Sequence, residues 1–176
     1  MKQIMCGYAA YNRSVNESVR EILAALPEDQ IKFETMAFFH SIYETYLHLV
    51  INDIIWLKRL GAVFADSAIL EKNRDILIDD AALRKRLEGG YARVFEFRKK
   101  LDAAIERFVE EIPGGDLEKP LRFKNFYGNN VETVVWKALL HWFNHQTHHR
   151  GNISVMLDLM GVQNDFSMLY TRIEAF

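Results

Sequence analysis

Apolar residues recur every three or four positions along most of the chain, a spacing that is typical of amphipathic α-helices. The first such stretch covers about residues 5–26, and the second, about 35–60, is apolar nearly all the way round. The third covers about 80–111, where a glycine pair at 89–90 favours a kink or a start, and the fourth covers about 131–160. The pattern predicts four long helices in one bundle, the second of them buried on most sides.

The segments between these stretches contain residues that end helices. All three prolines fall there, at Pro27, Pro113 and Pro120. Residues 61–79 are weakly periodic and predict a connection with a short helical turn. Residues 121–130 alternate apolar and polar residues and then break at Gly128, which predicts a short strand or an extended loop. Asn130 is the predicted N-cap of the fourth helix, and the tail after residue 161 is apolar enough to pack on the bundle.

Composition fits one globular domain over residues 1–176, with 49% hydrophobic and 26% charged residues. The net charge of −2 gives no reason to expect nucleic acid as a partner. Cys6 is the only cysteine of the sequence, so neither a disulfide framework nor a thiolate metal site is expected. The first residues lack the features of a signal peptide, and Asp53 and Lys58 interrupt the most apolar stretch. We therefore expect a cytoplasmic protein that does not cross a membrane.

Histidines are concentrated in one short stretch of the fourth predicted helix. Four of the six lie within nine residues, in the sequence HWFNHQTHHRG that begins at His141. His141, His145 and His149 repeat every four residues and so share one helix face, with neighbouring Cβ atoms about 5–6 Å apart. The same stripe continues in apolar residues before and after, at Val134, Ala138, Ile153, Met156 and Met160. The histidines are therefore expected at core positions.

Buried imidazoles need partners, because an uncompensated buried polar group costs about 1–3 kcal/mol. Two imidazoles at this spacing are a known way for one helix to grip a metal ion, although core histidines satisfied by hydrogen bonds would show the same spacing. His48 lies in the apolar second helix, with Asn52 and Asp53 close by in the sequence. It is the candidate for a third metal ligand.

Four motifs stand out along the chain: NHQTHHRGN, preceded by LLHWF; HLVINDIIWLKRL; YAAYN near the start; and MGVQND near the end. Together they resemble the motifs of the DinB family of damage-inducible proteins. The resemblance implies a four-helix bundle with a long crossover connection, commonly a homodimer, with a divalent metal near one end. The ligands it implies are His48, His145 and His149. The family often has glutamine after HRG, where Asn152 stands here.

Other residues are candidates for supporting roles around such a metal. His141 could be a fourth ligand, an acid or base near a substrate, or a group that supports a ligand, and we favour the last. Asp53 and Glu44 could orient a ligand imidazole through its second N–H, but Asp53 is five residues from His48 and could serve another helix instead. His148 is interpreted as a surface residue and His40 as structural.

Arginine and aromatic residues near these motifs have simpler interpretations. Arg150 is expected to be solvated or ion-paired, and Trp56 and Trp142 are expected in the core. Three aromatic residues could flank the mouth of the site, namely Phe123, Phe126 and Tyr127.

Three imidazoles without a thiolate suit a divalent transition metal, with Zn or Ni the leading choices. Three protein ligands leave a coordination position open, as in catalytic sites. This favours a metal-dependent hydrolase, or a transferase or isomerase that acts on a small-molecule substrate with a low-molecular-weight thiol, and the resemblance favours the thiol. The alternative is a non-catalytic bundle, stapled by its metal, that acts as a stress-induced binding module. Direct DNA binding lacks support, because the sequence shows no basic stripe.

Overall fold

Eight α-helices and one β-hairpin make up the described part of the chain, residues 1–87 and 90–173 of a computed structural model. The helices are α1 (Lys2–Ala24), α2 (Glu28–Ile31), α3 (Ile42–Gly61), α4 (Ala68–Lys72), α5 (Asp80–Leu87), α6 (Tyr91–Glu111), α7 (Val135–Leu159) and α8 (Leu169–Arg172). The hairpin strands are β1 (Pro120–Lys124) and β2 (Asn130–Val134), and short 3₁₀ turns cover Arg74–Ile76 and Gly114–Glu118. The prediction of an all-α fold is confirmed, with the hairpin as a small addition.

The four long helices α1, α3, α6 and α7 form a bundle in which α1 packs on α6 and α7, and α3 packs on the same two helices. Contacts between His48 and His145 and between Asp53 and Trp142 show that α3 and α7 are antiparallel. Helices α3 and α6 are parallel, since Tyr46 meets Phe95 and Asp53 meets Arg98. The chain must therefore travel the length of the bundle between them. Residues 62–90 form this long crossover, as predicted.

Helix α3 begins seven residues later than predicted, at Ile42 rather than near residue 35. His40 has a φ of 61°, which a continuous right-handed helix does not allow. Ser41 is extended and its hydroxyl accepts a hydrogen bond from the Glu44 N–H at 3.1 Å, so it is the N-cap. The preceding turn is closed by the Thr35 N–H, which donates to the His40 carbonyl at 2.5 Å. His40 thus has a structural role before the helix.

The predicted N-cap of the fourth helix was wrong. Asn130 pairs with Lys124 in the antiparallel hairpin, and α7 begins at Val135 with no side-chain cap. The β-branched residues Val131, Thr133 and Val134 favour the strand over the first turn of a helix. The predicted strand or loop at 121–130 is the first half of this hairpin and its turn, where Gly128 has a φ of 80°.

The third predicted helix is divided into α5 and α6. Gly90, with a φ of 111°, is the N-cap of α6, so the predicted interruption is confirmed at this glycine. Gly89 lies outside the described residues. The connection predicted at 61–79 contains α4 and a 3₁₀ turn.

The tail packs on the bundle as expected. Phe166 is buried, and its carbonyl accepts a hydrogen bond from the Tyr11 hydroxyl at 2.6 Å. The Arg172 guanidinium donates to the Ser18 hydroxyl at 2.9 Å. Among the described residues, no helix is both long enough and apolar enough to span a lipid bilayer.

Candidate metal centre

Three histidines from the two antiparallel helices α3 and α7 converge on one point. His145 and His149 are one turn apart on α7 and face His48 on α3. The Nε2 atom of His145 lies 3.3 Å from that of His48 and 3.1 Å from that of His149. One ring nitrogen from each of the three residues lies within 4.8 Å of the other two. The structure therefore brings together the three residues that the sequence singled out.

The arrangement of these nitrogens fits a shared cation. Imidazole nitrogens that bind one zinc ion at about 2.0–2.1 Å must lie about 3.0–3.4 Å from one another. The Nε2 separations of 3.3 Å and 3.1 Å around His145 match this range. A hydrogen bond can satisfy one such pair, but the Nε2 atom of His145 meets two neighbours at once. The three-histidine cluster could thus hold a metal ion.

Burial keeps these imidazoles in the neutral form that binds metals. Burial, together with the smaller effect of nearby histidines, lowers the pKa of His145 to about 3 and that of His149 to about 4. Burial also lowers the pKa of His48. Because a metal ligand must offer an unprotonated nitrogen, all three rings are ready to bind at neutral pH.

The histidine stripe lies at the edge of the buried face of α7, not along its centre. His149 is buried, His145 is half-buried and His141 is exposed. The fully buried side chains are those of Trp142, Gln146 and other residues, and Val134 belongs to the hairpin rather than to the helix. The expectation that the histidines occupy core positions was wrong for His141. The buried face of α7 is centred on Trp142 and Gln146, each one residue after a histidine, and not on the histidines themselves.

A cavity of about 730 Å³ extends from the histidines along the seam between α3 and α7. His48 and His145 line one end of it, and the ring of His141 lies 6.3 Å from that of His145, centroid to centroid. This separation leaves His141 outside the cluster of three. It lies on the cavity wall, 5.4 Å from the ring of Trp56. The structure thus places His141 on the cavity wall, beside the cluster and not within it.

Asp53 and Glu44 do not reach the histidines. The Asp53 carboxylate accepts hydrogen bonds from the Trp142 indole and the Gln146 amide, and it pairs with Arg98 at 2.6 Å. Glu44 is half-exposed, 4.0 Å from Arg84. Asp53 therefore serves α6 and α7, as its offset from His48 suggested, and neither carboxylate orients a ligand imidazole in this structure.

Comparison with known proteins agrees with these observations. The model of the DinB family matches residues 1–172. The chain belongs to the DinB family. The Protein DinB of Bacillus subtilis (strain 168) is 30% identical over 154 residues, which are 86% of this chain and 83% of that protein. No solved structure matches significantly. The predicted resemblance to the DinB family is confirmed.

Phe39 is a part of this DinB-family site that the sequence did not reveal. Its ring stacks on that of His48 with centroids 4.2 Å apart, and it meets the edge of His149 at 5.3 Å. The periodic pattern had assigned Phe39 to a helix, whereas it lies in the turn before α3. In this turn its ring covers one side of the three-histidine cluster.

Asn152 lies next to the His149 ring nitrogen that is outside the cluster, Nδ1. Its amide nitrogen lies 3.5 Å from Nδ1 of His149. A histidine that binds a metal through Nε2 carries a proton on Nδ1, and a 180° rotation of the Asn152 amide would bring its oxygen to this place to accept that proton. The departure from glutamine at this position therefore falls next to the cluster.

Arg150 is buried rather than solvated. Its guanidinium donates to the Asn12 and Asn16 side chains on α1 and to the Thr147 hydroxyl, and it lies 5.4 Å from the Tyr11 ring. Burial lowers its pKa to about 10, so it remains charged at neutral pH. These bonds hold α7 against α1 on the side of α7 away from His48. The neighbouring His148 is exposed, as expected, with its ring 4.9 Å from that of His149.

Proposed function

We propose that this DinB-family protein is a metal-dependent enzyme, a transferase or isomerase that uses a low-molecular-weight thiol to act on small molecules. The observation that carries the proposal is the convergence of the His48, His145 and His149 ring nitrogens at one end of a large cavity. Three neutral imidazoles suit Zn or Ni. When bound, such a metal would supply a Lewis acid that makes a thiol or water nucleophilic at neutral pH.

The residues around the cluster have distinct tasks in this proposal. The three histidines hold the metal, and Asn152 fixes the ring of His149. Phe39 covers one side of the cluster by stacking on His48 and excludes water there. His141 faces the cavity and is placed to take up or return a proton of the substrate. None of these tasks requires a carboxylate.

A thiol is favoured over water as the nucleophile because of what lines the cavity. Among its described lining residues there is neither an aspartate nor a glutamate. Water needs a general base more than a thiol does, because the thiol has an ordinary pKa of about 8.5. A hydrolase is the second candidate, since His141 could serve as that base.

Metal content and turnover test the proposal together. We expect about one Zn or Ni per chain by elemental mass spectrometry, lost in His48→Ala, His145→Ala and His149→Ala, because two imidazoles bind far more weakly than three. The exposed His148→Ala is the matched control and should keep its metal. Metal-loaded protein should consume a thiol together with an electrophile such as chlorodinitrobenzene, and the His48→Ala variant should not.

Each result of this experiment has a different meaning. Turnover of an activated ester without a thiol would establish the hydrolase instead. Bound metal with neither activity would support the non-catalytic stapled bundle. Unchanged metal content in all three histidine variants would contradict the metal site itself.

The proposal includes a homodimer and induction by stress, which the family resemblance implied, and a cytoplasmic location, which was the expectation from the sequence. The exposure of large apolar side chains such as Met36 and Phe38 in the single chain supports the dimer. Light scattering should give twice the mass of one chain, and a monomer mass at micromolar concentration would contradict this part.

A further inference from the structure

The cavity beside the three histidines has a second, positively charged end. Arg59 and Lys137 both line it. Arg59 is eleven residues beyond His48 on α3, a rise of about 16 Å at 1.5 Å per residue. Lys137 precedes His145 by eight residues on the antiparallel α7, a rise of about 12 Å. The two cations therefore lie towards the same end of the cavity, away from the histidines.

Arg59 is held in place but has no counter-ion among the described residues. Its guanidinium lies 4.8 Å from the Trp56 ring and 4.2 Å from the Phe123 ring, and it donates to the Lys124 carbonyl at 3.2 Å. No ion pair within residues 1–87 and 90–173 includes Arg59. A half-buried guanidinium that stacks on aromatic rings and keeps free N–H groups is a ready receptor for a carboxylate.

The walls between the two ends are apolar. Ile51, Ile55, Trp56 and Phe123 form much of this surface, and Phe126 extends it from the hairpin turn. A ligand that reaches from Arg59 to the histidines must therefore bury an apolar body along the way, with a gain of about 25 cal/mol per Å² of apolar surface. The absence of acidic residues from the described lining disfavours a cationic ligand.

One polar group in the cavity also lacks a partner. Asn52 lies one turn beyond His48, and its side-chain oxygen is buried without a hydrogen-bond partner among the described residues. A buried acceptor of this kind costs about 1–3 kcal/mol unless a donor reaches it. A ligand with an N–H or O–H group near its reactive end would supply that donor.

We propose that the cavity binds an elongated amphipathic anion, with its carboxylate on Arg59, its apolar body against Trp56 and Phe123, and its reactive end at the three histidines. This proposal rests on the proposed function for the reactive end alone. The contact with Arg59 requires no metal, so it can be measured separately. Lys137 adds positive charge near the carboxylate.

Calorimetric titration with octanoate and octanol tests the anion subsite, on protein stripped of metal and on protein loaded with zinc. Octanoate should bind at least about tenfold more tightly than octanol in both forms, since hydrogen bonds to a charged group contribute about 1.5–3 kcal/mol. Arg59→Gln should remove this preference, whereas Arg59→Lys should keep part of it. Arg107→Gln, at an exposed position on α6, is the matched control and should bind octanoate as the wild type does.

Length selectivity tests the second half of the proposal on zinc-loaded protein. Mercaptoundecanoate can reach from Arg59 towards the histidines, and mercaptopropionate cannot. The longer thiol should therefore bind at least about tenfold more tightly, and Arg59→Gln should reduce this ratio more than it reduces the affinity for undecanethiol.

Equal affinity of the wild type for octanoate and octanol would overturn the proposal, as would octanoate binding that Arg59→Gln leaves unchanged. If Arg59→Gln fails to fold, the proposal can still be tested in two ways. One is the comparison of octanoate with octanol in the wild type, and the other is Lys137→Gln, which removes the second positive charge at this end of the cavity. Protein that binds no metal but prefers octanoate through Arg59 would refute the proposed function and leave the anion subsite standing. Protein that binds one metal per chain but does not prefer octanoate to octanol would refute the anion subsite and leave the proposed function standing.

Discussion

At the scale of single residues, His145 is the centre of the candidate site. Its Nε2 atom approaches both other ring nitrogens, while its Nδ1 atom is buried without a hydrogen-bond partner among the described residues. Neutral imidazole must place a proton on one of these two nitrogens. Nδ1 lacks a described partner whether or not a metal is bound, so it does not distinguish the two states. A proton on Nε2 can be donated to only one of the two neighbouring ring nitrogens at a time, whereas a shared cation would be bound by all three. This is a physical reason for a cation at this position.

The low pKa values of the histidines predict how the metal-free protein responds to pH. Burial lowers the pKa of His145 to about 3 and that of His149 to about 4, whereas the unfolded chain titrates near 6.5. Between about pH 4 and 6.5 the unfolded chain therefore binds more protons than the folded one. The free energy of unfolding should rise with pH through this window and level off above it, as measured by urea unfolding at a series of pH values.

Two variants identify the residues responsible for that slope. His145→Gln should flatten the dependence on pH, because it removes the most strongly shifted imidazole. His148→Gln, on the exposed side of α7, should weaken it only slightly, because the charge of His148 is a minor cause of the two low pKa values. A free energy of unfolding that is constant from pH 4 to 6.5 in the wild type would show that these rings remain hydrated in solution.

The site residues that could be predicted from the sequence differ from the others in the kind of signal that identifies them. The three clustered histidines were predictable because their spacing on α7 and the apolar surroundings of His48 are local signals. Phe39 was not identified as a site residue, since its contact with His48 depends on where a turn lies in space. Asn152 was not identified either, although it lies only three residues after His149 on the same helix, a spacing that the sequence does show. Arg150 was expected at the surface because arginine usually is, and only the partners on α1 make its burial tolerable.

At the scale of secondary-structure elements, Asp53 joins three of the four long helices. It lies on α3, pairs with Arg98 on α6 and accepts hydrogen bonds from Trp142 and Gln146 on α7. Gln146 is the residue after His145, so the same bonds fix the rotation of α7 that turns its histidines towards His48. Burial raises the pKa of Asp53 to about 6, against the opposing effect of Arg98, and the carboxylate is still mostly ionised at neutral pH.

Replacement of Asp53 measures how much this junction contributes. Asp53→Asn should lower the free energy of unfolding by about 3 kcal/mol or more, because it leaves a buried guanidinium with an incomplete set of counter-ions. The exposed Asp66→Asn should change it by less than about 0.5 kcal/mol. Folded Asp53→Asn protein should still bind one metal per chain, since Asp53 contacts none of the three histidines. A stable variant that has lost its metal would contradict both points.

The boundaries of elements were the hardest features to predict from the sequence. The four long helices follow from apolar periodicity alone, but the start of α3 depends on the positive φ of His40 and on the Ser41 cap. The start of α7 depends on the pairing of β2 with β1, a contact between segments that periodicity does not detect. In both cases the apolar spacing typical of a helix extends into preceding residues whose backbone hydrogen bonds are not helical. The pattern therefore predicted the start of each helix too early.

At the scale of the whole molecule, the crossover of residues 62–90 gives the bundle its asymmetry. It makes α3 and α6 parallel neighbours and leaves α3 antiparallel to α7, the pair that carries the histidines. The cavity follows this antiparallel seam, and the hairpin between α6 and α7 supplies Phe123 to its charged end. The bundle could be predicted from the helices and the family resemblance, whereas the cavity could not, because it depends on which helix faces lie side by side.

The position of the histidines also has a mechanical consequence. His48 and His145 are separated by 97 residues of chain, so an ion held by both would act as a cross-link that closes most of the bundle into a single loop. The loop exists only in the folded chain, so an ion bound by the folded protein alone would stabilise it by about 2.7 kcal/mol at a free concentration one hundred times its Kd. The bound ion would then stabilise the fold reversibly, by an amount that depends on the free metal concentration. A shortage of metal would lower both the stability of the fold and the activity of the site.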